Sequence, residues 1–332
     1  VFSEIESLDG SKCLETLLKK QLVDNILADI ELGTDVLKIK SLVEDYESKL
    51  SGISKTTDKD AHSIDTETMD ELDKTEGIPW FLKPLQESLM SLSIGQFVLI
   101  SADFGTGKSA FAISQAVHAF KHISNKEGSG PILYFNSEGT ASDVIGRFLS
   151  NLYKDKVRGG FEEIVNRREE VRERFLEKYN PDLFKVFQMS DVNTFKAVKE
   201  KIKKYSPSLV IIDIIDKLAP EEDVVNLKKL YDNLRVLASA SCPIIGTTQS
   251  GDTSYLDKDT NEVRSRKWLG DHSLYGSKSG KGGAADTIIT IGREDTSSNL
   301  RFINKNKKKR GQPVKLTCII EDIYSNYKEL DF

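Results

Sequence analysis

The chain has 332 residues, 38% hydrophobic and 30% charged, which suits one large α/β domain with a small appendage, and no apolar run approaches the roughly 18–20 residues that span a bilayer. The 47 basic and 52 acidic side chains leave a formal net charge of −5, which excludes a uniformly basic nucleic-acid coat. Cys13, Cys242 and Cys318 are widely spaced, with no CxxC pair and four histidines in the chain, so neither a disulfide framework nor a Cys/His zinc site is readable and an intracellular, cytoplasmic protein is expected.

The chain opens on Val1 with no basic and then apolar leader, the pattern of a piece of a longer protein without a signal peptide. Apolar residues at helical spacing run from Leu14 to Ile30 and again from Val36 to Leu50, parted at Gly33-Thr34, and predict two amphipathic helices in an N-terminal segment over 1–50. Periodicity then dissolves into Ser, Thr, Lys and Asp, giving an acidic linker over 51–76. The main domain is expected over 77–332. Short β-branched runs predict strands at 96–101, 131–136, 184–187, 208–213 and 243–247, alternating with helices near 108–122, 140–153, 161–178, 192–204 and 223–239. That alternation indicates a mostly parallel sheet with crossover helices on both faces. Strands at 285–291, 300–305 and 314–320 follow with little helix between them and should extend the sheet as antiparallel strands. The polar, Gly-rich interval 250–283 is long for a connection and reads as a functional loop. Charge is polarised: residues 1–76 hold nine lysines against nineteen acids, whereas 264–315 hold thirteen Lys or Arg against four acids. The cluster Lys305, Lys307, Lys308, Lys309 and Arg310 is either a solvated edge or a contact for phosphate.

Chemistry concentrates after the first strand of the main domain. Gln96–Ser101 runs into Ala102-Asp103-Phe104-Gly105-Thr106-Gly107-Lys108-Ser109 and then a helix opening at Ala110. This is a Walker A loop with alanine at its first glycine position. Glycines let consecutive backbone N–H groups converge on phosphates at a helix N-terminus, Lys108 reaches the β- and γ-phosphates, and the Ser109 hydroxyl ligates Mg²⁺. About a hundred residues on, the apolar run Leu209–Ile212 delivers Asp213 at its C-terminal end, as a Walker B carboxylate must. Asp216 is the rival. Glu138 follows the strand ending at Asn136, where it serves either as general base for an attacking water or as a mere helix cap. Gln249, after the strand 243–247, is placed to touch a γ-phosphate.

The succession Ala102–Ser109, Ile132–Glu138, Leu209–Asp213, Pro243–Gln249 and a terminal Lys-x-Arg resembles the RecA-like motor domain of DnaB-family hexameric replicative helicases over roughly residues 77–320. Gly77-Ile78-Pro79 and Leu92–Gln96 are similar to that family's approach to Walker A, and Tyr134–Glu138 with Arg147 resembles the segment bearing its catalytic glutamate. Leu274-Tyr275-Gly276-Ser277 followed by Ala285–Ile289 resembles its DNA-contacting loop and the next strand. Lys308-Lys309-Arg310-Gly311-Gln312-Pro313 resembles its Lys-x-Arg-Asn-Gly-Pro segment, departing at Gly311-Gln312.

The resemblance implies a RecA-like P-loop NTPase core and a ring-forming, ATP- and Mg²⁺-dependent helicase that moves 5′→3′ on single-stranded DNA. It implies Glu138 as catalytic base, Gln249 as phosphate sensor, Arg310 as an arginine finger acting on the neighbouring subunit, and Lys308 as its companion. Gly276, Ser277, Lys278 and Lys281 are the expected DNA contacts, and helix 35–50 is placed like the family's linker helix. No cysteines of a primase zinc module are present, so a primase partner would lie upstream or on another chain. The alternatives are a RecA-like recombinase filament, another RecA-fold ring ATPase, and a nucleotide-binding replication scaffold.

Overall fold

The computed structural model describes residues 19–27, Val43, Tyr46, 77–218, 224–251, 253–256, 263–274, 278–308 and 312–330. The chain divides into two compact units, Val1–Lys74 and Thr75–Phe332. In the first, residues 19–27, Val43 and Tyr46 are helical. The remainder of the two expected N-terminal helices and all of the expected linker lie outside the described residues.

The second unit begins with α1 (Lys83–Leu89), β1 (Phe97–Ala102), α2 (Lys108–Ile123), β2 (Ile132–Asn136) and α3 (Ala141–Leu152). There follow α4 (Gly160–Asn166), α5 (Arg168–Lys178), β3 (Phe184–Gln188), α6 (Phe195–Tyr205) and β4 (Leu209–Asp213). Next come α7 (Val224–Ala240), β5 (Ile244–Gln249), the short strands β6 (Ser254–Leu256) and β7 (Val263–Ser265), and α8 (Lys278–Ala284). The chain ends in β8 (Thr287–Gly292), β9 (Leu300–Lys308), β10 (Val314–Glu321) and β11 (Asn326–Glu329).

Nine strands form one sheet in the order β11-β10-β9-β8-β1-β5-β4-β2-β3. β1 pairs in parallel with β5 and β8, β4 with β5 and β2, and β2 with β3, whereas β9, β10 and β11 continue the sheet antiparallel. The central strands β1, β2 and β4 are buried along their whole length, as the continuous apolar runs Phe97–Ile100, Ile132–Phe135 and Leu209–Ile212 require when helices cover both faces. On one face α2 and α3 close a core of Phe111, Phe120, Phe148 and Tyr134, and on the other α6 and α7 bring Val198, Ile202, Tyr231 and Leu234 onto Phe97, Leu99 and Phe135.

Three expectations are corrected. β8 is parallel to β1, not antiparallel, because the segment 250–286 crosses the sheet and re-enters it in the same direction. The helix expected over 161–178 is two helices that meet at Arg167, whose guanidinium bridges Glu163 and Glu170. The interval 250–283 is not one irregular loop: it holds the β6/β7 hairpin and the Gly-rich α8.

Candidate nucleotide site

All the parallel strands direct their C-terminal ends to one edge of the sheet, where an open α/β fold binds ligands. At the end of β1 the residues Asp103–Gly107 turn directly into α2. Gly105 and Gly107 sit at φ 66° and 104°, backbone positions that side chains rarely adopt. A Cβ on Gly107 would lie 2.5 Å from Ile320 Cδ1 and 2.6 Å from the Tyr327 hydroxyl, so this glycine is required by space as well as by φ. The loop is braced from beneath by the last strands. Buried Arg301 of β9 donates from Nε to the Thr106 carbonyl (2.7 Å) and from Nη1 to Leu300 O (2.9 Å), and the Tyr327 hydroxyl of β11 donates to Gly107 O (3.2 Å). Burial presses the Arg301 guanidinium below its ordinary pKa and the Tyr327 phenol above its own. Residues near the C-terminus therefore shape the loop that sequence reading placed at 102–109.

Lys108 is buried at the first turn of α2, its ammonium donating to the carbonyls of Ala102 (3.0 Å) and Asp103 (2.9 Å). Burial lowers its pKa, opposed by the negative charges of Asp213, Glu138 and Asp103. A cation held among carboxylates at the mouth of an N–H-lined loop is suited to an anionic ligand. Ser109 and Ala110 are half-buried at the same helix start, the Thr106 side chain is buried, and Phe104 projects outward, 72% exposed. Asp103 caps its own loop by accepting from Phe104 N (2.8 Å), and its other oxygen accepts from Thr253 Oγ1 (3.2 Å).

Asp213 ends β4, only 5% exposed, and accepts hydroxyl hydrogens on both oxygens, from Tyr134 (2.8 Å) and Thr247 (2.5 Å). Two donors fix the carboxylate as an ionised acceptor aimed at the loop end of the sheet. Burial and the facing Asp213 charge keep the Tyr134 phenol protonated, its pKa well above the ordinary value. Asn136 lies opposite Asp213 in the β2/β4 register, with Ser137 N donating to Asp213 O (2.7 Å), which places Glu138, exposed, one step beyond this junction. Gln249 is opposite Ala102 in the β1/β5 register and is exposed beside the phosphate loop. Lys108, Asp213, Glu138 and Gln249 thus converge, while the rival Asp216 is committed elsewhere, bonded to Tyr231, Thr248 and Lys281.

Two basic side chains do not take the places expected of them. Lys281, expected to touch DNA, is 1% exposed, with its ammonium 2.8 Å from Asp216 Oδ2 and 2.9 Å from Thr248 Oγ1; it is a structural cation inside the domain. Lys305, part of the cluster offered to phosphate, is fully buried and donates to Ser88 Oγ (2.8 Å) and Gln312 O (2.8 Å). Lys308 is on β9 and Lys278 opens α8, but their side chains, together with Lys307, Lys309, Arg310, Gly276 and Ser277, lie outside the described residues. Sequence reading missed Arg301, Tyr327, Tyr134 and Thr247; only the placing of an arginine inside the apolar run Leu300-Arg301-Phe302 hinted at a buried task.

Among the described residues no group of three or more His, Cys, Asp or Glu is arranged to hold a metal ion. A hydroxyl and one carboxylate, Ser109 and Asp213, fit Mg²⁺, which takes few protein ligands and completes its shell with phosphate and water. Among the described residues no helix is long and apolar enough to cross a membrane.

The sequence matches the family model described as AAA domain over residues 66–254. No curated protein matches the chain. Among solved structures, one helicase ATPase domain superposes with a TM-score of 0.64 at 17% identity, covering 82% of this chain and 100% of that one. A DnaB-like replicative helicase, solved in a study of its interactions with primase, superposes with a TM-score of 0.62 at 16% identity, covering 97% of this chain and 77% of that one. With more than half of its length matched, the chain belongs to the AAA domain family, and its RecA-like core has the fold of DnaB-like helicase ATPase domains.

Proposed function

We propose that this protein is an ATP-driven replicative DNA helicase that assembles as a hexameric ring, hydrolyses ATP between subunits and moves 5′→3′ on single-stranded DNA. The observation that carries the reading is the convergence of Lys108, Asp213, Glu138 and Gln249 at the loop end of a sheet whose fold is that of DnaB-like helicase ATPase domains.

On this reading Lys108 exchanges its bonds to Ala102 O and Asp103 O for β- and γ-phosphate oxygens, while the N–H groups of residues 103–110 wrap the phosphate chain. Ser109 and Asp213 hold Mg²⁺, the carboxylate kept in place by Tyr134 and Thr247. Bound Mg²⁺ supplies neutralisation of charge on the phosphoryl oxygens. Glu138, exposed next to this cluster, accepts the proton of the attacking water, and the Gln249 amide reads the γ-phosphate. Arg310, with Lys308 beside it, completes the neighbour's site, because a planar and permanently charged donor best meets charge spread over three oxygens. Gly276, Ser277 and Lys278 contact the strand within the ring, with primase and other replisome proteins as partners.

Steady-state ATPase activity with and without single-stranded DNA, at two salt concentrations and several protein concentrations, tests the reading. Turnover should rise with DNA and with assembly, and strand displacement should follow. Turnover indifferent to DNA would leave a nucleotide-driven ring ATPase or scaffold in its place.

A further inference from the structure

The hairpin after β5 carries chemistry that the ATP site does not use. β6 and β7 pair antiparallel, with Tyr255 opposite Arg264 and Leu256 opposite Val263. Together with residues 266–268 they border an open cleft of about 370 Å³ lined by Tyr255, Arg264, Arg266, Lys267 and Trp268. Tyr255 and Trp268 are 42% and 37% exposed, large rings that a surface ordinarily covers. Both are held in place. The Arg266 guanidinium lies over the Tyr255 ring at 5.7 Å; Trp268 stands edge-on to Phe302 at 5.1 Å with the Lys315 ammonium 5.5 Å from its centroid. The one acid among the described lining residues is Glu294, which is paired with Lys267 at 2.7 Å.

From this arrangement we infer that the β6/β7 hairpin is a seat for single-stranded DNA, separate from the 274–277 loop. Bases stack on Tyr255 and Trp268, and the phosphates between them meet Arg264, Arg266 and Lys315. Rings backed by cations suit a base and its adjoining phosphate, and such stacking tolerates any sequence because every base has a π-face. The inference deepens the motor reading and rests on it. It also carries a link to the nucleotide: Arg266 N donates to Thr253 O (2.8 Å), and Thr253 Oγ1 donates to Asp103 of the phosphate loop (3.2 Å), so the root of the hairpin is tied to the ATP site.

Titrating the full chain with a labelled oligo-dT strand tests this, with anisotropy and intrinsic tryptophan emission read together. Trp80 is buried, so stacking should quench the emission of Trp268 at the concentration where anisotropy saturates, and the quench should vanish in Trp268→Phe. Tyr255→Ala should weaken binding by about 5- to 100-fold and Tyr255→Phe should restore it. Arg264→Ala should lower the salt slope by about 0.7, the value for one lost phosphate contact on a single strand. DNA-independent ATPase activity reports folding and should be unchanged in all of these. If the wild-type chain binds the strand while Trp268 emission stays constant and the Tyr255 and Arg264 variants bind as tightly, the hairpin inference is overturned and the motor reading stands. If the wild-type chain binds no strand at all, both are overturned.

Discussion

The Lys281 ammonium and the Asp216 carboxylate form a buried ion pair at 2.8 Å, closed by Thr248 Oγ1 on one side and by the Tyr231 hydroxyl on the other. The pair joins the turn after β4, the end of β5, α7 and the Gly-rich α8. It explains how a seven-residue helix containing three glycines holds its place: its buried lysine is anchored to the strand ends that carry Asp213 and Gln249.

Removing one partner leaves the other charged and uncompensated. Lys281→Met is therefore expected to cost about 3 kcal/mol or more of stability, read as a lower urea midpoint at unchanged slope. Lys281→Met combined with Asp216→Leu should recover part of that loss. A DNA-contacting lysine would behave in the opposite way, with an unchanged midpoint and a smaller salt slope of DNA binding.

At Gly107 the left-handed φ of 104° and the nearness of Ile320 and Tyr327 act together. Gly107→Ala should destabilise the domain by roughly 1–3 kcal/mol for the backbone strain, and it should abolish nucleotide binding because the N–H groups of the loop are displaced. Gly128, with φ 74° and open space around it, is the control: alanine there should leave nucleotide affinity intact. Equal nucleotide affinity for Gly107→Ala and wild type would show the loop to be more yielding than its neighbours imply.

How much of this was legible in the sequence follows from the range of each interaction. The phosphate loop and the Asp213 strand were readable because their chemistry is local: glycines, lysine and serine at fixed spacing, and an apolar run ending in a carboxylate. The brace under the loop was not, since Arg301 and Tyr327 are about two hundred residues away in sequence and reach it only through the antiparallel extension of the sheet. Lys281 misled for a related reason. A lysine between glycines looks solvated, and its partner Asp216 is 65 residues upstream. The parallel pairing of β8 was equally hidden, because direction is set by the path of 250–286 and not by the residues of the strand.

Cys242 and Cys318 are buried free thiols, and burial pushes their pKa values up to about 11 and about 12. A thiol whose pKa is higher in the folded state favours folding below its unfolded pKa, near 9, and that contribution is lost as pH rises through the folded values. Unfolding midpoints should accordingly fall between about pH 9 and 12, less steeply in Cys242→Ala. At pH 8 both thiols should resist a disulfide reagent until denaturant is added. Rapid modification of Cys242 or Cys318 in the native protein, identified by peptide mapping, would contradict their burial.

Separating binding from chemistry at the candidate site calls for three substitutions. Lys108→Ala removes the cation that meets the phosphates and should weaken nucleotide binding at least tenfold, since a charge-assisted hydrogen bond contributes about 1.5–3 kcal/mol. Glu138→Gln keeps the shape of the site but cannot accept a proton; affinity should be retained while turnover falls by about 10²–10⁴. Normal turnover in Glu138→Gln would remove Glu138 from the role of base. Arg310→Ala addresses assembly, and the informative measurement is ATPase activity of mixed rings as the mutant fraction rises. A finger acting on the neighbouring subunit makes each mutant subunit silence a wild-type site, and a coordinated ring loses more than that single site, so activity should fall faster than the fraction of wild-type subunits. Strictly proportional loss would mean that each subunit completes its own site and that the arginine acts within one chain.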